Sequence, residues 1–241
     1  MRIIGRILTA ALLPVLISCQ KENQDGVVSF ALEEGEVFSC TKSSVSDFAA
    51  VPSVEEFNLL IKNASTGSVI YNGKFTGWKE DTKVRSGNYT AEASCGIESE
   101  EGPDKPFFYG CEEFQITGGQ NTEVGIPVSL GNCIVRIECS ESFRQYYPDY
   151  SFRIETPYNP EGFDYDGRAV FVACQFSVSG QVTDRNGVQS QLKKSSWSGA
   201  PATSYTVEYD ISNVGGATVV VTFDNTLYPV DTGGIDLKED E

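Results

Sequence analysis

Cys19 is the residue whose setting points most directly to a chemical modification. It follows Arg2 and Arg6, an apolar run over residues 7–17, and the small residue Ser18. A positive start, a short apolar segment and a small final residue are the three parts of a secretory signal peptide. The apolar run is too short to span a bilayer. We therefore predict that residues 1–18 form a signal peptide and that the chain is exported.

The end of this segment, Leu16-Ile17-Ser18-Cys19, resembles the lipobox of bacterial lipoproteins. The resemblance implies that Cys19 is acylated, with palmitate as a typical chain, and becomes the first residue of the mature protein. Two or three acyl chains would hold it in the outer membrane almost permanently. The alternative is an ordinary secretory peptide that happens to end in Cys.

Residues 19–26 are polar and without periodicity, which is typical of a flexible tether. This stretch also resembles the export tag of Bacteroidota lipoproteins that are displayed on the cell exterior, and a generic linker is the alternative. The predicted location is the cell outer membrane, with a lipid anchor and exposure on the cell surface.

Histidine is absent from the sequence, and this absence removes whole classes of catalytic site. Ser-His-Asp and Cys-His nucleophiles and nearly all catalytic zinc sites need it. A pair of carboxylates could still hydrolyse a glycoside, but the sequence offers no acid in a distinctly apolar setting. We predict that the protein is not an enzyme and that it uses no cofactor.

Asp164 and Asp166 have the spacing of a calcium-loop start, with Gly167 after them and Glu161 before them. A calcium loop needs further oxygen ligands and a final bidentate carboxylate. Here Arg168 and the apolar run over residues 169–172 follow instead. The sequence therefore favours an acidic surface turn and no metal site.

Aromatic residues in or near loops are the candidates for ligand contact. Aromatic rings beside carboxylates can stack on sugar rings while the acids accept hydroxyl hydrogen bonds. The alternative is that these side chains fill the core at strand ends. The candidates are Trp78, Tyr146, Tyr147, Tyr150 and Trp197.

Six cysteines remain besides Cys19, and export would allow them to form disulfides. Cys95 and Cys111 bracket a loop between two predicted strands, so we predict a bridge between them, worth about 3 kcal/mol. Buried thiols are the alternative, because several of these cysteines alternate with apolar residues on one strand face. Cys133 and Cys139 lie about 20 Å apart along one strand and cannot pair. The six are Cys40, Cys95, Cys111, Cys133, Cys139 and Cys174.

The elements that would position these residues are short strands. Strict alternation buries one face of residues 89–95, 133–139 and 205–209. Gly118-Gly119 and Asn186-Gly187 have hairpin chemistry, and one short helix is expected over residues 141–146. Further strands are predicted at 27–32, 57–62, 68–75, 114–117, 123–130, 150–156, 175–183 and 217–223.

The pattern predicts an all-β protein of two tandem β-sandwich domains, transthyretin-like or Ig-like, after the signal peptide. The expected boundaries are 27–130 and 131–241, because each run is long enough to close its own sandwich. Without Arg2 and Arg6, 16 basic residues face 34 acidic ones, a net charge of −18. Such an acidic chain lacks the Lys/Arg clusters of a nucleic-acid-binding protein, so we predict no nucleic-acid partner.

Several segments resemble the landmarks of an uncharacterised Bacteroidota surface lipoprotein family related to fimbrillins. They are residues 57–63, 67–73, 86–93, 107–110 and 114–116. The resemblance implies surface adhesion or a role as pilus accessory, anchor or tip, with pilus subunits or a host ligand as partners. A glycan-binding surface lipoprotein is the alternative.

Pilins of this clan are clipped at Arg or Lys after their first strand, so that a neighbouring subunit can donate a strand. Here the only basic residue near that place is Lys42. The sequence therefore favours an anchor, a tip or a free-standing protein over a polymerising subunit.

Overall fold

The computed structural model describes residues 25–34, 52–211 and 217–223, the last range through its backbone. Cys19, Cys40 and Lys42, with the predicted signal peptide, lie outside the described residues. The described chain is all-β, as predicted, with fifteen strands and one short α-helix in these ranges. No helix in these ranges is long and apolar enough to cross a membrane.

Residues 25–130 form one seven-stranded sheet in the order β3-β2-β5-β6-β7-β1-β4. Strands β6 and β7 pair at only two positions, Phe108 with Leu130 and Tyr109 with Ser129, so the sheet can fold at this corner. Side chains from both sides then meet in one core. The strands are β1 (Asp25–Glu34), β2 (Asn58–Asn63), β3 (Val69–Lys74), β4 (Lys83–Arg85), β5 (Gly87–Cys95), β6 (Phe108–Ile116) and β7 (Asn121–Leu130).

Strand β1 pairs within its own chain on both of its edges. It runs parallel to β7 over eight residue pairs, from Val27–Asn121 to Glu34–Val128. Its first three residues pair antiparallel with β4. In this structure the first strand is therefore an integral part of the sheet.

Residues 133–223 form two four-stranded sheets, β10-β9-β12-β13 and β11-β8-β14-β15. The helix α1 (Glu141–Tyr146) is the predicted one, and Ser140 caps it by accepting a hydrogen bond from the Phe143 N–H. The strands are β8 (Cys133–Cys139), β9 (Asp149–Glu155), β10 (Phe163–Asp164), β11 (Val170–Val172), β12 (Gln175–Thr183), β13 (Gln189–Ser198), β14 (Ser204–Ile211) and β15 (Ala217–Phe223).

The second of these sheets is buried on both faces at its β8–β11 end. Val135 and Val170 pair across the two strands and pack in a core made by residues 133–211. Ile134 and Phe171, the next pair, pack instead in the core of residues 28–130. The C-terminal half thus contributes to both cores, and the division into two domains near residue 131 stays a prediction.

The strands that the sequence predicted are present, with ends that differ by a few residues. Gly119 and Gly187 have φ of +77° and +84°, as the predicted hairpin turns require. The sequence did not predict β4, β10, β11 or β13. The first three are two or three residues long, and β13 has little apolar alternation.

Candidate functional site

A surface groove of about 560 Å³ lies where β9, β12 and β13 run side by side. Phe176 pairs with Trp197, and Ser177 pairs with both Ser196 and Glu155. This register brings together three strands that are neighbours in the sheet. The lining residues are Glu155, Thr156, Pro157, Pro160, Gln175, Phe176, Ser177, Lys194, Ser196, Trp197 and Ser198.

Trp197 forms part of the apolar wall of this groove. It is half-buried, and its ring lies 5.4 Å from the ring of Phe176 at an interplanar angle of 33°. Phe176 is buried and belongs to the core, and it pairs with Trp197 across the two strands, so both rings lie on the inward face of the sheet. Pro157 and Pro160 add rigid apolar surface to the groove.

Polar groups line the rest of the groove. The hydroxyls of Ser177 and Ser196 lie 2.9 Å apart, and Lys194 forms an ion pair with Glu155. About half of the Lys194 side chain remains exposed, at 49%. Hydroxyls, an amide, an ammonium and a carboxylate in one groove are groups that can hydrogen-bond a polyhydroxylated ligand.

A β-bulge sets the alternation of β13 in this region. The register between β12 and β13 shifts between Val178 and Gly180, with one extra residue on β13. Trp197 lies on the inward face on the Val178 side of the shift, and Leu192 is the buried residue on the Gly180 side. Because of this shift, no single period of two runs through β13.

The other predicted aromatic contacts lie elsewhere. Trp78 packs edge-on against Phe30 and Tyr71 at the core of residues 28–130, and its indole N–H donates to the Val28 carbonyl at 2.9 Å. It is a structural residue. Tyr147 is also a core residue, only 3% exposed, with its ring 5.1 Å from the ring of Phe143.

Tyr146 and Tyr150 are exposed but lie away from Trp197, since Tyr146 ends α1 and Tyr150 is at the opposite end of the sheet. Tyr150 pairs with Val182, whereas the groove is beside Ser177. Tyr150 lines a second pocket of about 330 Å³ together with Arg144, Glu138 and Tyr165. The structure therefore brings Trp197 together with none of the other predicted aromatics.

The predicted Cys95–Cys111 bridge is wrong, because the two residues lie on opposite faces of the sheet. Cys95 pairs with the inward-facing Phe108, while Cys111 pairs with Glu92 and is exposed. Both are free thiols. Their separation of three residue pairs amounts to about 10 Å of strand, well beyond the reach of a disulfide.

The acids of the candidate calcium turn are engaged with arginines. Asp164 pairs with Arg153, and Asp166 pairs with Arg168. The Arg168 N–H and guanidinium hold the pKa of Asp166 below its usual value. In the described residues, no group of three or more Cys, Asp or Glu side chains is placed to hold a metal ion.

Sequence reasoning missed most of the groove around Trp197. Phe176, Lys194 and Glu155 were not singled out, because nothing in the sequence shows that they meet. The local signals were Lys194, which lies three residues before Trp197 in a polar segment, and two prolines in another part of the chain, Pro157 and Pro160. Glu155 is the one carboxylate among the described residues lining the groove, so the groove lacks the acid pair of a glycosidase.

The fold is shared with proteins of known structure. A fimbrial assembly protein from Parabacteroides distasonis aligns with a TM-score of 0.50 and 10% identity, covering 85% of this chain and 97% of that one. The fimbrial anchor protein Mfa2 from Porphyromonas gingivalis gives a TM-score of 0.48 at 8% identity, covering 85% and 99%. At 10% identity, the alignment with the fimbrial assembly protein shows a shared fold, which is the kind of fold that the resemblance to fimbrillins implies.

No curated protein matches the chain significantly. The family model with the description "Domain of unknown function (DUF4493)" matches residues 24–235, which is most of the sequence. The chain therefore belongs to that family.

Proposed function

We propose that this protein is a non-enzymatic, surface-anchored lipoprotein of fimbrillin-like type that acts in adhesion or as a pilus accessory, anchor or tip. The fold shared with a fimbrial assembly protein over nearly all of its length supports this proposal. The lipid anchor would be Cys19, in the outer membrane. Partners would be pilus subunits or a ligand on a host surface.

The observation that carries the accessory role is the pairing of β1. Its eight residue pairs with β7 hold it in its own sheet, where Val28 is fully buried. A subunit that polymerises by strand exchange must open a groove for its neighbour's strand. A chain whose first strand is retained in this way fits an anchor, a tip or a free-standing adhesin.

Protease shaving of intact cells tests the display of the protein. We expect added protease to cleave the protein while periplasmic markers stay intact. If the protein resists until the outer membrane is broken, it faces the periplasm and is not an adhesin.

The lipid anchor has its own test in the Cys19→Ala variant of the full chain. We expect this variant to leave the membrane fraction, whereas Cys111→Ala, which changes an exposed thiol on β6, should stay there. Equal membrane retention of both variants would contradict acylation at Cys19.

Glycan binding in the groove that Trp197 lines is the second candidate function, because the same groove is lined by several hydroxyls, Lys194 and Glu155. A glycan array with the full chain tests it. Trp197→Ala should weaken any hit by about tenfold or more, since an aromatic contact contributes about 0.5–1.5 kcal/mol beyond its buried area. Tyr150→Ala, an exposed aromatic at the other end of the sheet, is the matched control and should bind as the wild type does. An array without hits would remove this candidate.

A further inference from the structure

Cys133 and Cys174 lie close together at the edge of the core made by residues 133–211. Cys133 is the first residue of β8 and is fully buried, while Cys174 is half-buried between β11 and β12. Their Sγ atoms are 2.6 Å apart, which is about 0.6 Å beyond the length of an S–S bond. The structure holds both as thiols.

The backbone fixes this proximity independently of the side chains. On one side of Cys174, Val172 pairs with Cys133 across the β11–β8 ladder. On the other side, Gln175 pairs with Ser198, and the Gly199 N–H donates to the Cys174 carbonyl at 2.6 Å. Because both flanks of Cys174 are held, the backbone of Cys174 stays beside that of Cys133, within reach of a disulfide.

The two thiols are chemically unequal. The Cys133 thiol donates to Cys174 and lies 3.0 Å from the Ala200 carbonyl, and this hydrogen bond together with burial raises its pKa. The same hydrogen bond lowers the pKa of Cys174. Cys174 is also the more accessible of the two. It is therefore the better nucleophile for exchange with an incoming disulfide.

We propose that Cys133 and Cys174 form an intramolecular disulfide that joins the two sheets of the C-terminal half. The oxidant is a protein or small-molecule disulfide of an oxidising compartment. The Cys174 thiolate attacks one sulfur of that disulfide and expels the other as a thiolate. Cys133 then loses its proton and attacks the Cys174 sulfur, which releases the second thiolate of the oxidant. The oxidant gains two electrons and two protons and leaves as two thiols.

The other described cysteines do not compete for this bond. Cys95 faces inward on β5 and Cys111 outward on β6, both in the N-terminal sheet. Cys139 is at the far end of β8 from Cys133, about 20 Å away by strand rise. Cys133 and Cys174 are therefore the pair that the described geometry selects.

The bond would also hold one side of the groove. Gln175, Phe176 and Ser198 line the groove. Cys174 directly precedes the first two, and its carbonyl accepts a hydrogen bond from Gly199, the residue after Ser198. The disulfide does not depend on the proposed adhesion role, since it needs only an oxidant and this backbone.

Differential alkylation of the full chain tests the proposal. The protein is denatured without reductant, treated with iodoacetamide, then reduced and labelled with a second alkylating agent before peptide mass spectrometry. After incubation with oxidised glutathione, we expect residues 133 and 174 to carry only the second label and to appear as one cross-linked peptide when reduction is omitted. First-label alkylation of both residues, or linkage of either one to another cysteine, would overturn the proposal.

Thermal unfolding with and without reductant gives a second readout. Reduction should lower the Tm of the oxidised wild-type chain by about 10 °C, because the bond closes a loop of some forty residues. Cys111→Ser, the matched control, should show the same fall, and Cys174→Ser should show none. An unchanged wild-type Tm on reduction would overturn the proposal, and the alkylation test still decides if Cys174→Ser fails to fold.

Discussion

The two halves of the described chain close their cores in different ways. Residues 25–130 use one seven-stranded sheet that pairs weakly at the β6–β7 corner, and residues 133–223 use two separate sheets. Each half has one tryptophan. Both are half-buried, but Trp78 donates its N–H to the Val28 carbonyl and packs edge-on against two aromatic rings, whereas Trp197 lines a surface groove.

This difference shows where a binding surface can form. In the N-terminal half, the sheet folds over its own core and Trp78 packs against that core. In the C-terminal half, the groove lies where β9, β12 and β13 of one sheet run side by side. The place in the fold, more than the residue type, therefore decides which tryptophan lines a groove.

The loop between β5 and β6 limits the independence of the two halves. Gly102 exchanges two backbone hydrogen bonds of 3.0 Å with Phe171 of β11. Glu101 accepts hydrogen bonds from the Thr156 hydroxyl and from the Ala173 N–H. Arg168 adds an exposed ion pair with Asp104. We therefore expect the two halves to unfold together.

The largest expected effect comes from Phe171→Ala. Phe171 is hydrogen-bonded in a C-terminal sheet but packs in the N-terminal core, where it is 1% exposed. Its truncation should cost about 3–5 kcal/mol of unfolding free energy. Urea unfolding is followed by tryptophan fluorescence in two backgrounds, Trp197→Phe to report on Trp78 and Trp78→Phe to report on Trp197. The urea midpoint should fall in both.

The exposed Val188, which is 58% accessible in the β12–β13 turn, provides the control. Val188→Ala should change either midpoint very little. A fall confined to one of the two tryptophan signals of Phe171→Ala would mean that the two halves unfold separately.

Glu101→Ala should have the next largest effect. The substitution removes the carboxylate that accepts hydrogen bonds from the Thr156 hydroxyl and the Ala173 N–H. Thr156 is only 6% exposed. Hydrogen bonds to a charged group contribute about 1.5–3 kcal/mol, so we expect a loss of about 2 kcal/mol in chemical denaturation.

Glu100→Ala is the matched control for this variant. Glu100 pairs with Lys105, and the two side chains are 48% and 51% exposed. Exposed pairs contribute little, so the loss should stay below about 1 kcal/mol. Equal losses for the two variants would show that Glu101 does not join the halves.

The comparison of the two tryptophans is sharpened by replacing each with Phe. Trp78→Phe removes the hydrogen bond to the carbonyl of the fully buried Val28, so we expect a loss of about 1–2 kcal/mol. Trp197→Phe keeps an aromatic ring against Phe176 and should lose less than about 1 kcal/mol. Thermal unfolding measures both, and a larger loss at Trp197 would mean that its indole is structural.

The sequence predicted the strands with strong alternation because one buried face imposes a period of two. Residues 89–95 and 133–139 show this pattern, and the structure has strands there. Strand β13 was missed because a bulge interrupts its alternation and most of its side chains are exposed. The apolar residues 170–172 gave no alternating signal, since both faces of β11 are buried.

The candidate site was predictable only in part, because it depends on strand register. Trp197 was recognised as a candidate from its residue type and its expected place in or near a loop, but so was Trp78, whose indole N–H donates to the Val28 carbonyl. The Cys95–Cys111 prediction failed for a related reason. The register of β5 against β6 puts these residues on opposite faces, and the loop length does not reveal it.

The smallest effect is expected for Tyr209→Phe, a change within the C-terminal core. The Tyr209 hydroxyl is buried without a hydrogen-bond partner, and burial raises the pKa of this phenol. Removing an unpaired buried hydroxyl should leave stability unchanged or raise it by up to about 1 kcal/mol. Tyr205→Phe, the control, loses the bond that the Tyr205 hydroxyl accepts from the Ala200 N–H and should lower stability by a similar amount.

The alkaline pH dependence separates Tyr209 from a change in packing. Above the ordinary tyrosine pKa of about 10, the unfolded chain releases the Tyr209 proton while the folded protein keeps it. Unfolding free energy must then fall as pH rises, by about 1.4 kcal/mol per pH unit for each such group. Burial also raises the pKa of Tyr165 and Tyr205 in the same half, so the wild type should lose stability steeply above pH 10. Tyr209→Phe should reduce that slope by one group, and an unchanged slope in denaturation at pH 9–11 would mean that Tyr209 ionises in the folded protein.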